Sequence, residues 1–453
     1  MSLHTIDPSS LPGAVLELAR RIETRGGRVL VVGGWVRDRL RGEEPADLDV
    51  EVHGLAEAAL DDALSEQGQV HVVGKAFAIR RVRGLDADVS WVAPGAEGGD
   101  LDDTYARAAR RRDLTINAMA FDPLAARVLD PFGGRDDLER GRLRATDAAR
   151  FGDDPVRALR TAGLAARLEM SPDEELLALC AAQDLGPVPG ERLMLEWSRL
   201  LLRAPRPSAA LDWLLQMSQL RAFPEIDALR GVPQDPHWHP EGDVFVHTAM
   251  CLDAAAALRH ASDEPTALMF GVLCHDFGKP ETTRVENDRV RSIAHERAGL
   301  APTRRFLGRL EASNRLVAQV EILVDRHLAP SQLVEQGAGD KAFRRLVRKL
   351  DAVHVSPRLL ADVARADHLG RTTADAGAGR FDAGDRFLER IESLSLEAGP
   401  RPPVVQGRHL VARGYTPGPE YGRILERCLA LQDETGIDDA EVLLDRALGR
   451  SAG

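Results

Sequence analysis

Aromatic residues make up only 4% of this 453-residue chain, four of its 59 basic residues are lysines, and four residues are cysteines. Each scarcity excludes something. Cys180, Cys251, Cys274 and Cys428 lie far apart with no CxxC pair, which argues against a disulfide framework or a thiolate zinc site. Few aromatics leave few platforms on which single-stranded bases could stack. No apolar run approaches the ~20 residues that span a bilayer, and no basic-then-apolar signal segment opens the chain, so a cytoplasmic location without membrane contact is expected. A formal charge of −12 speaks against bulk nucleic-acid binding, and no DNA partner is expected, although a local basic groove fits inside an acidic total. The dominance of Arg over Lys suits planar, bidentate contacts to phosphates and bases.

The length predicts two to four domains, and 44% apolar with 29% charged residues reads as an ordinary globular composition. Short β-like runs at Val29 to Val32, Asp49 to Val52, Val70 to Val73 and Ala78 to Val82 alternate with helical stretches up to about residue 145. Beyond Asp153 the apolar spacing is helical nearly to the end. The expected class is therefore α+β, a mixed sheet with helices followed by an all-helical body. Pro- and Gly-rich breaks at 186–192, 230–240 and 397–407 suggest segments 1–145, 146–229, 230–380 and 381–453.

The stretch VVGGWVRDRLRGEEPADLDVEV, residues 31–52, sets Gly33 and Gly34 after an apolar run and ends in alternating acids. On a strand Asp47 and Asp49 would share one face, with Cα atoms roughly 6.6 Å apart. Two carboxylates that close repel unless a cation sits between them, and Mg²⁺, which prefers oxygen ligands, is the simplest choice. The glycines would let main-chain N–H groups approach a triphosphate, and Arg37 would add a bidentate phosphate contact, unless Asp38 is its structural partner.

GGWVRDRLRG…DLDV resembles the catalytic motif of the class II nucleotidyltransferases, the polymerase-β-like branch of bacterial tRNA nucleotidyltransferases (CCA-adding enzymes) and poly(A) polymerases. The resemblance implies that Asp47 and Asp49 hold Mg²⁺ for nucleotidyl transfer, with Asp86 or Asp88 as a third acid. RRRDLTINAMAFDP, residues 110–123, is similar to the family's RRDxTxNA motif and implies phosphate and ribose binding by Arg111, Arg112, Asp113 and Asn117. Without it, the same residues read as a basic helix start capped by Asp113.

Asp154 and Arg157 stand three apart on a predicted helix and so share a face. An Asp accepts and an Arg donates, a pair that suits the Watson–Crick edges of cytosine and adenine and rejects uracil and guanine. An ordinary helical ion pair has the same spacing. The context resembles the family's EDxxR motif, with Asp153 replacing Glu. ERLMLE resembles the following helical motif, with Glu191, Arg192 and Glu196 as structural support.

Nine of the thirteen histidines fall between His237 and His368. The ordered set His247, His275-Asp276, His295, His327 and Asp367, each on a separate predicted helix, offers imidazole and carboxylate ligands to a divalent ion that would activate water for phosphoester hydrolysis. It resembles an HD-domain phosphohydrolase. His247, His275, Asp276 and Asp367 match the minimal ligand set and His295 and His327 the additional positions, with Lys279 near the phosphate and the metal unidentified. An HD domain behind such a head is the layout of one bacterial branch of CCA-adding enzymes, which WHPEGDVFVHT resembles closely. This implies tRNA 3′ ends, CTP and ATP as substrates, phosphatase and cyclic phosphodiesterase side activities, and an RNA-binding role for 381–453.

Members adding all three nucleotides carry a longer basic loop than WVAPGAEGGDLDDTYARAA, residues 91–109, so a CC-only enzyme is an alternative. A poly(A) polymerase, an HD phosphohydrolase keeping its head for RNA binding, and a non-catalytic RNA-binding module are others.

Overall fold

The computed structural model describes residues 3–73, 79–93, 100–287 and 289–449. The chain forms two compact units, Met1–Val188 with Asp212–Ala222, and Pro189–Leu211 with Phe223–Gly453. The first break falls inside the Pro/Gly-rich stretch 186–192. The class is the expected α+β.

In the first unit seven strands, β1 Arg28–Val32, β2 Asp49–His53, β3 Val70–Val73, β4 Ile79–Val82, β5 Asp88–Trp91, β6 Ala120–Asp122 and β7 Arg127–Leu129, form one sheet in the order β3-β4-β5-β2-β1-β6-β7. Only β2 and β5 run parallel; the other neighbours are antiparallel. Alternation divides the side chains between two faces. Val29, Val50, Val52 and Val89 pack with Val15, Leu18, Ala19 and Ile22 of the helix Gly13–Thr24 and with Leu60, Ala63 and Leu64 of the helix Glu57–Ser65. The opposite face carries Leu30, Val32 and Ala120 against Tyr105 and Ala109 of the helix Leu101–Ala109. Of the expected run Ala78 to Val82, Ala78 lies outside the described residues, as do residues 94–99 of the short loop.

The second unit is mostly helical, and its aromatics converge. Phe306 meets Trp197 at 5.7 Å, Phe223 at 6.2 Å, Phe270 at 6.4 Å and Phe277 at 5.7 Å between ring centroids. The body departs from an all-helical expectation at two places. Thr283–Glu286 pairs antiparallel with Arg289–Ser292 in the second unit, and Arg142–Leu143 pairs parallel with Ser171–Pro172 in the first. The hairpin's period-2 pattern, TRVE and RVRS around Asn287 at φ 50°, is too short to stand out beside long helical periodicity. Among the described residues no helix is long and apolar enough to cross a membrane.

Asp137 is fully buried and accepts from Thr115 Oγ1 at 2.6 Å, Arg142 Nε at 2.8 Å and Arg144 Nε at 3.1 Å. Removing one partner of such a network strands the remaining polar groups, so Asp137→Ala is expected to cost about 3 to 5 kcal/mol in chemical unfolding.

Candidate functional site

Strand β2 begins at Asp49, with Asp47 two residues ahead of it. In register Asp49 stands opposite Val32 on β1 and Asp88 on β5, and Asp88 N donates to Leu48 O at 3.0 Å. Of the two candidates for a third acid, Asp88 therefore stands beside Asp49, whereas Asp86 is exposed in the turn before β5. Arg81 grips both oxygens of Asp88 at 2.8 and 3.1 Å. Asp49 opens toward solvent, yet the protein packed around it, with Asp88, Asp47 and Glu51 nearby and only Arg112 opposing, raises its pKa above the usual carboxylate range. An oxygen-rich, charge-crowded position of this kind fits a divalent cation.

The alternation continues to Glu51, which the sequence reading missed although DLDVE carries the same period. Arg112 Nη2 donates to Glu51 Oε1 at 2.6 Å. Against burial, Arg112 and the adjacent His53 hold Glu51 down at about 2. Gly33, at φ 75°, precedes the helix Gly34–Leu40, and a Cβ there would sit 3.1 Å from Arg112 Nη1. The glycine thus admits the guanidinium beside Asp49. A Cβ at Gly34 would press on Arg37 Nη2 at 3.3 Å.

The expectation of an open phosphate fork at Arg37 is corrected. Its guanidinium is buried, donating to Asp38 Oδ1 at 2.7 Å and to Asn117 Oδ1 at 2.6 Å. Asn117 Nδ2 donates to Asp113 Oδ1 at 3.0 Å, Arg160 reaches Asp113 Oδ2 at 3.3 Å, and Arg167 reaches Asp38 Oδ2 at 3.0 Å. Asp113 also receives Leu114 N at 2.8 Å, which orders the 3-10 turn Thr115–Asn117. Against burial, Arg160 and Asn117 hold Asp113 below its usual range. The arginine-rich motif, the glycine motif and the helix Arg157–Leu168 are thus joined by one polar chain whose outer arginines, Arg160 and Arg167, carried no sequence signal.

Asp154 and Arg157 do not both lie on that helix. It begins at Arg157, and Asp154 occupies the preceding turn, with Arg157 N donating to Asp154 O at 3.1 Å. Pro155 explains the offset, because the residue before a proline is disfavoured in the α region. Arg157 is buried and directs Nη1 to Arg150 O at 2.7 Å and Nη2 to Arg111 O at 2.5 Å, while the Arg111 side chain is exposed.

In the second unit all six expected ligands converge. His247 lies on the helix Val244–Leu258 and Asp367 on Pro357–Leu369, whereas His275 and His327 close their helices rather than lie within them. That position has a consequence. The last carbonyls of a helix lack intrahelical donors, and His275 Nδ1 takes Val272 O at 2.7 Å while His327 Nδ1 takes Val324 O at 2.8 Å. His295 Nδ1 likewise meets Ser292 O at 2.9 Å. A carbonyl only accepts, so each Nδ1 carries a proton, and each Nε2 is the ring nitrogen left facing the cluster. His247 Nδ1 faces Glu241 Oε1 at 2.8 Å, a carboxylate that also meets His239 at 2.9 Å; Glu241 was not singled out from the sequence, although it adjoins the histidines of HWHPEGD.

The free donor atoms are arranged in two groups. His247 Nε2, Asp367 Oδ1, His275 Nε2 and Asp276 Oδ2 form a ring with successive separations of 3.1, 4.0, 3.2 and 3.9 Å. Asp276 Oδ1 lies 3.3 Å from His295 Nε2, which lies 3.3 Å from His327 Nε2. Two imidazole lone pairs facing each other repel unless a cation lies between them. His275 Nε2 and Asp276 Oδ1 are buried without a hydrogen-bond partner. Burial, with His295 and His275 alongside, lowers His327 to about 3, keeping it neutral. These features fit one or two divalent ions with Asp276 between them. Lys279 Nζ stands 2.6 Å from Asp276 Oδ2 and is held by Gln234 Oε1 at 2.7 Å. The site opens into a cavity of about 250 Å³ lined in part by Lys279, His295, Trp238 and Arg371.

Two outcomes follow from this geometry. Glu51, whose folded pKa is depressed, contributes stability that is fully present above its ordinary value of 4.5 and lost as the pH falls toward about 2. Glu51→Gln should therefore lose roughly 2 kcal/mol at neutral pH, with the gap to the parent closing between those values in acid-titrated unfolding. A Cβ at Gly278 would collide with His295 O and Gly299 N, so Gly278→Ala should separate His295 from Asp276. Metal affinity, measured by elemental analysis after dialysis against graded metal, should fall about 10- to 100-fold, while Gly308→Ala, which meets open space, should leave it unchanged.

Residues 29–144 match the poly A polymerase head domain. The chain is 37% identical over 430 residues to the Multifunctional CCA protein of Halorhodospira halophila, covering 88% of this chain and 95% of that one. It is 32% identical to the protein of the same name from Pasteurella multocida, covering 84% and 92%. Among solved structures, the Bacillus stearothermophilus CCA-adding enzyme in complex with CTP matches with a TM-score of 0.66 at 18% identity, covering 97% and 98%. The Thermotoga maritima CCA-adding enzyme complexed with tRNA matches with a TM-score of 0.58 at 18% identity, covering 98% and 96%. A catalytic-type acid cluster on a matching head, and relatives aligned over nearly their full length, identify this chain as a nucleotidyltransferase of the multifunctional CCA protein family.

Proposed function

We propose that the chain adds CCA to tRNA 3′ ends from CTP and ATP without a nucleic-acid template. The observation that carries this reading is the crowding of Asp47, Asp49 and Asp88 beside Gly33 and Arg112. Asp47 and Asp49 would hold Mg²⁺, which supplies charge neutralisation for the triphosphate and activation of the primer hydroxyl. Gly33 and Gly34 keep the backbone accessible to phosphate oxygens. Arg111 is free to contact phosphate, while Arg112 stays with Glu51 at the rim of the acids. Arg37, Asp113 and Asn117 act by holding the nucleotide-binding turn in place. Asp154 supplies the acceptor for an amino group of cytosine or adenine, and Arg157 fixes the turn that presents it. The bound RNA is recognised through backbone and shape, as suits a folded acceptor arm.

The second unit adds a metal-dependent phosphohydrolase, active on phosphomonoesters and cyclic phosphodiesters. His247, His275, Asp276 and Asp367 would hold one divalent ion, and Asp276 with His295 and His327 a second. Support comes from the imidazole orientations and from the orphaned His275 Nε2 and Asp276 Oδ1.

The test offers tRNA transcripts ending at the discriminator base, at C and at CC, with labelled CTP or ATP and Mg²⁺, and resolves products at single-nucleotide length. Extension to CCA is the expected result. Arrest at CC would replace the reading with a CC-adding enzyme, and no extension would overturn it. Asp47→Ala with Asp49→Ala should lower incorporation by at least about 1,000-fold, the scale of losing metal-based charge stabilisation. His275→Ala with Asp276→Ala should abolish phosphate release while incorporation persists.

A further inference from the structure

Glu51 adds a further negative charge to the face of β2 that already carries Asp49, and its partners show what it does there. In register it stands opposite Leu30 on β1 and Ser90 on β5, so neighbouring strands fix its backbone on both sides. Its two oxygens are engaged separately: Oε1 accepts from Arg112 Nη2 at 2.6 Å, and Oε2 meets His53 Nε2 at 3.3 Å. His53 is buried and lies edge-on to Tyr105, with ring centroids 6.1 Å apart, and Tyr105 Oη donates to Ala118 O at 3.0 Å. Glu51 is thereby anchored from behind, on the side away from the guanidinium it holds.

Arg112 has a second carboxylate close by. A Cβ at Gly33 would lie 3.1 Å from Arg112 Nη1 and 3.9 Å from Asp49 Oδ2, so guanidinium and carboxylate rest against the same glycine. Yet Arg112 pairs with Glu51 and not with Asp49. A guanidinium stays charged at any working pH, and its fork matches a carboxylate. Released from Glu51, it would turn to Asp49 and take the oxygen that a cation needs.

We propose that Glu51 is a positioning residue for nucleotidyl transfer: it neutralises and tethers Arg112, which reserves Asp49 for the divalent cation. The inference rests on the reading of Asp47 and Asp49 as Mg²⁺ ligands. Glu51 acts through the arginine and binds neither the cation nor the substrates.

The experiment measures Mn²⁺ bound by the full-length protein from the electron paramagnetic resonance of the free ion. It is done in a His275→Ala, Asp276→Ala background, and the binding assigned to the first unit is the part lost on adding Asp47→Ala with Asp49→Ala. Glu51→Gln should weaken that binding roughly tenfold, the scale of one partly screened charge contact. Adding Arg112→Gln to Glu51→Gln should restore it to that of the parent. In CTP incorporation, Glu51→Gln should raise the Mg²⁺ concentration needed for half the maximal rate by a similar factor and change kcat at saturating Mg²⁺ by less than about twofold, a split that a loosened fold would not give. Binding that stays as weak in the double variant as in Glu51→Gln would make Glu51 a ligand or a structural prop and overturn the proposal. Arg112→Gln alone should bind Mn²⁺ at least as tightly as the parent, and weaker binding there would overturn the proposal even if Glu51→Gln fails to fold. No loss of Mn²⁺ in Asp47→Ala with Asp49→Ala would instead overturn the metal reading on which the inference rests.

Discussion

Within the first unit the polar chain Arg167, Asp38, Arg37, Asn117, Asp113 and Arg160 is the constraint on which the nucleotide-binding surface depends. Each buried charge in it is tolerable only because an opposite charge or an amide meets it directly. A buried ion pair is weak as a source of net stability, but breaking one costs several kcal/mol, so its principal effect is on geometry. Here the geometry ties three segments distant in sequence, residues 33–38, 113–117 and 157–167, into one arrangement. The acids of β2 are then left beside Arg112 and Gly33, and the turn carrying Asp154 is held by Arg157.

The second unit solves a related problem with imidazoles at helix ends. Helix ends leave carbonyls without donors, and His275 and His327 fill them through Nδ1. The same hydrogen bond that completes each helix turns Nε2 toward the cluster, so secondary structure and ligand orientation are set by one contact. Behind the His275-Asp276 dipeptide, Phe277 joins the ring cluster around Phe306. Five of the scarce aromatics thus form a core behind this dipeptide.

That distribution also changes how the composition reads. A 4% aromatic content pointed away from base stacking in general, yet it says nothing of the exposed Trp238 in the wall of the histidine-lined cavity. Likewise, Arg dominance suggested contacts to phosphate, but Arg37, Arg112 and Arg157 are directed at protein groups. The planar fork that suits phosphate suits carboxylates and main-chain carbonyls equally well, so residue type alone does not distinguish an inward guanidinium from an outward one.

The sequence by itself determined the α+β order, because local periodicity carries it, while the resemblance of its motifs to known families singled out Asp47, Asp49 and the histidine set that meets at Asp276. It was silent on Glu51, Arg160, Arg167 and Glu241 as partners, since their roles arise from contacts across long stretches of chain. It misplaced Asp154 by treating a proline-bounded turn as helix, and it overlooked a short hairpin. That Asp88 and not Asp86 is the neighbour of Asp49, and that Arg37 turns inward, were decided by tertiary structure alone. Register across β2 and β5 sets the first, and burial that demands a partner sets the second.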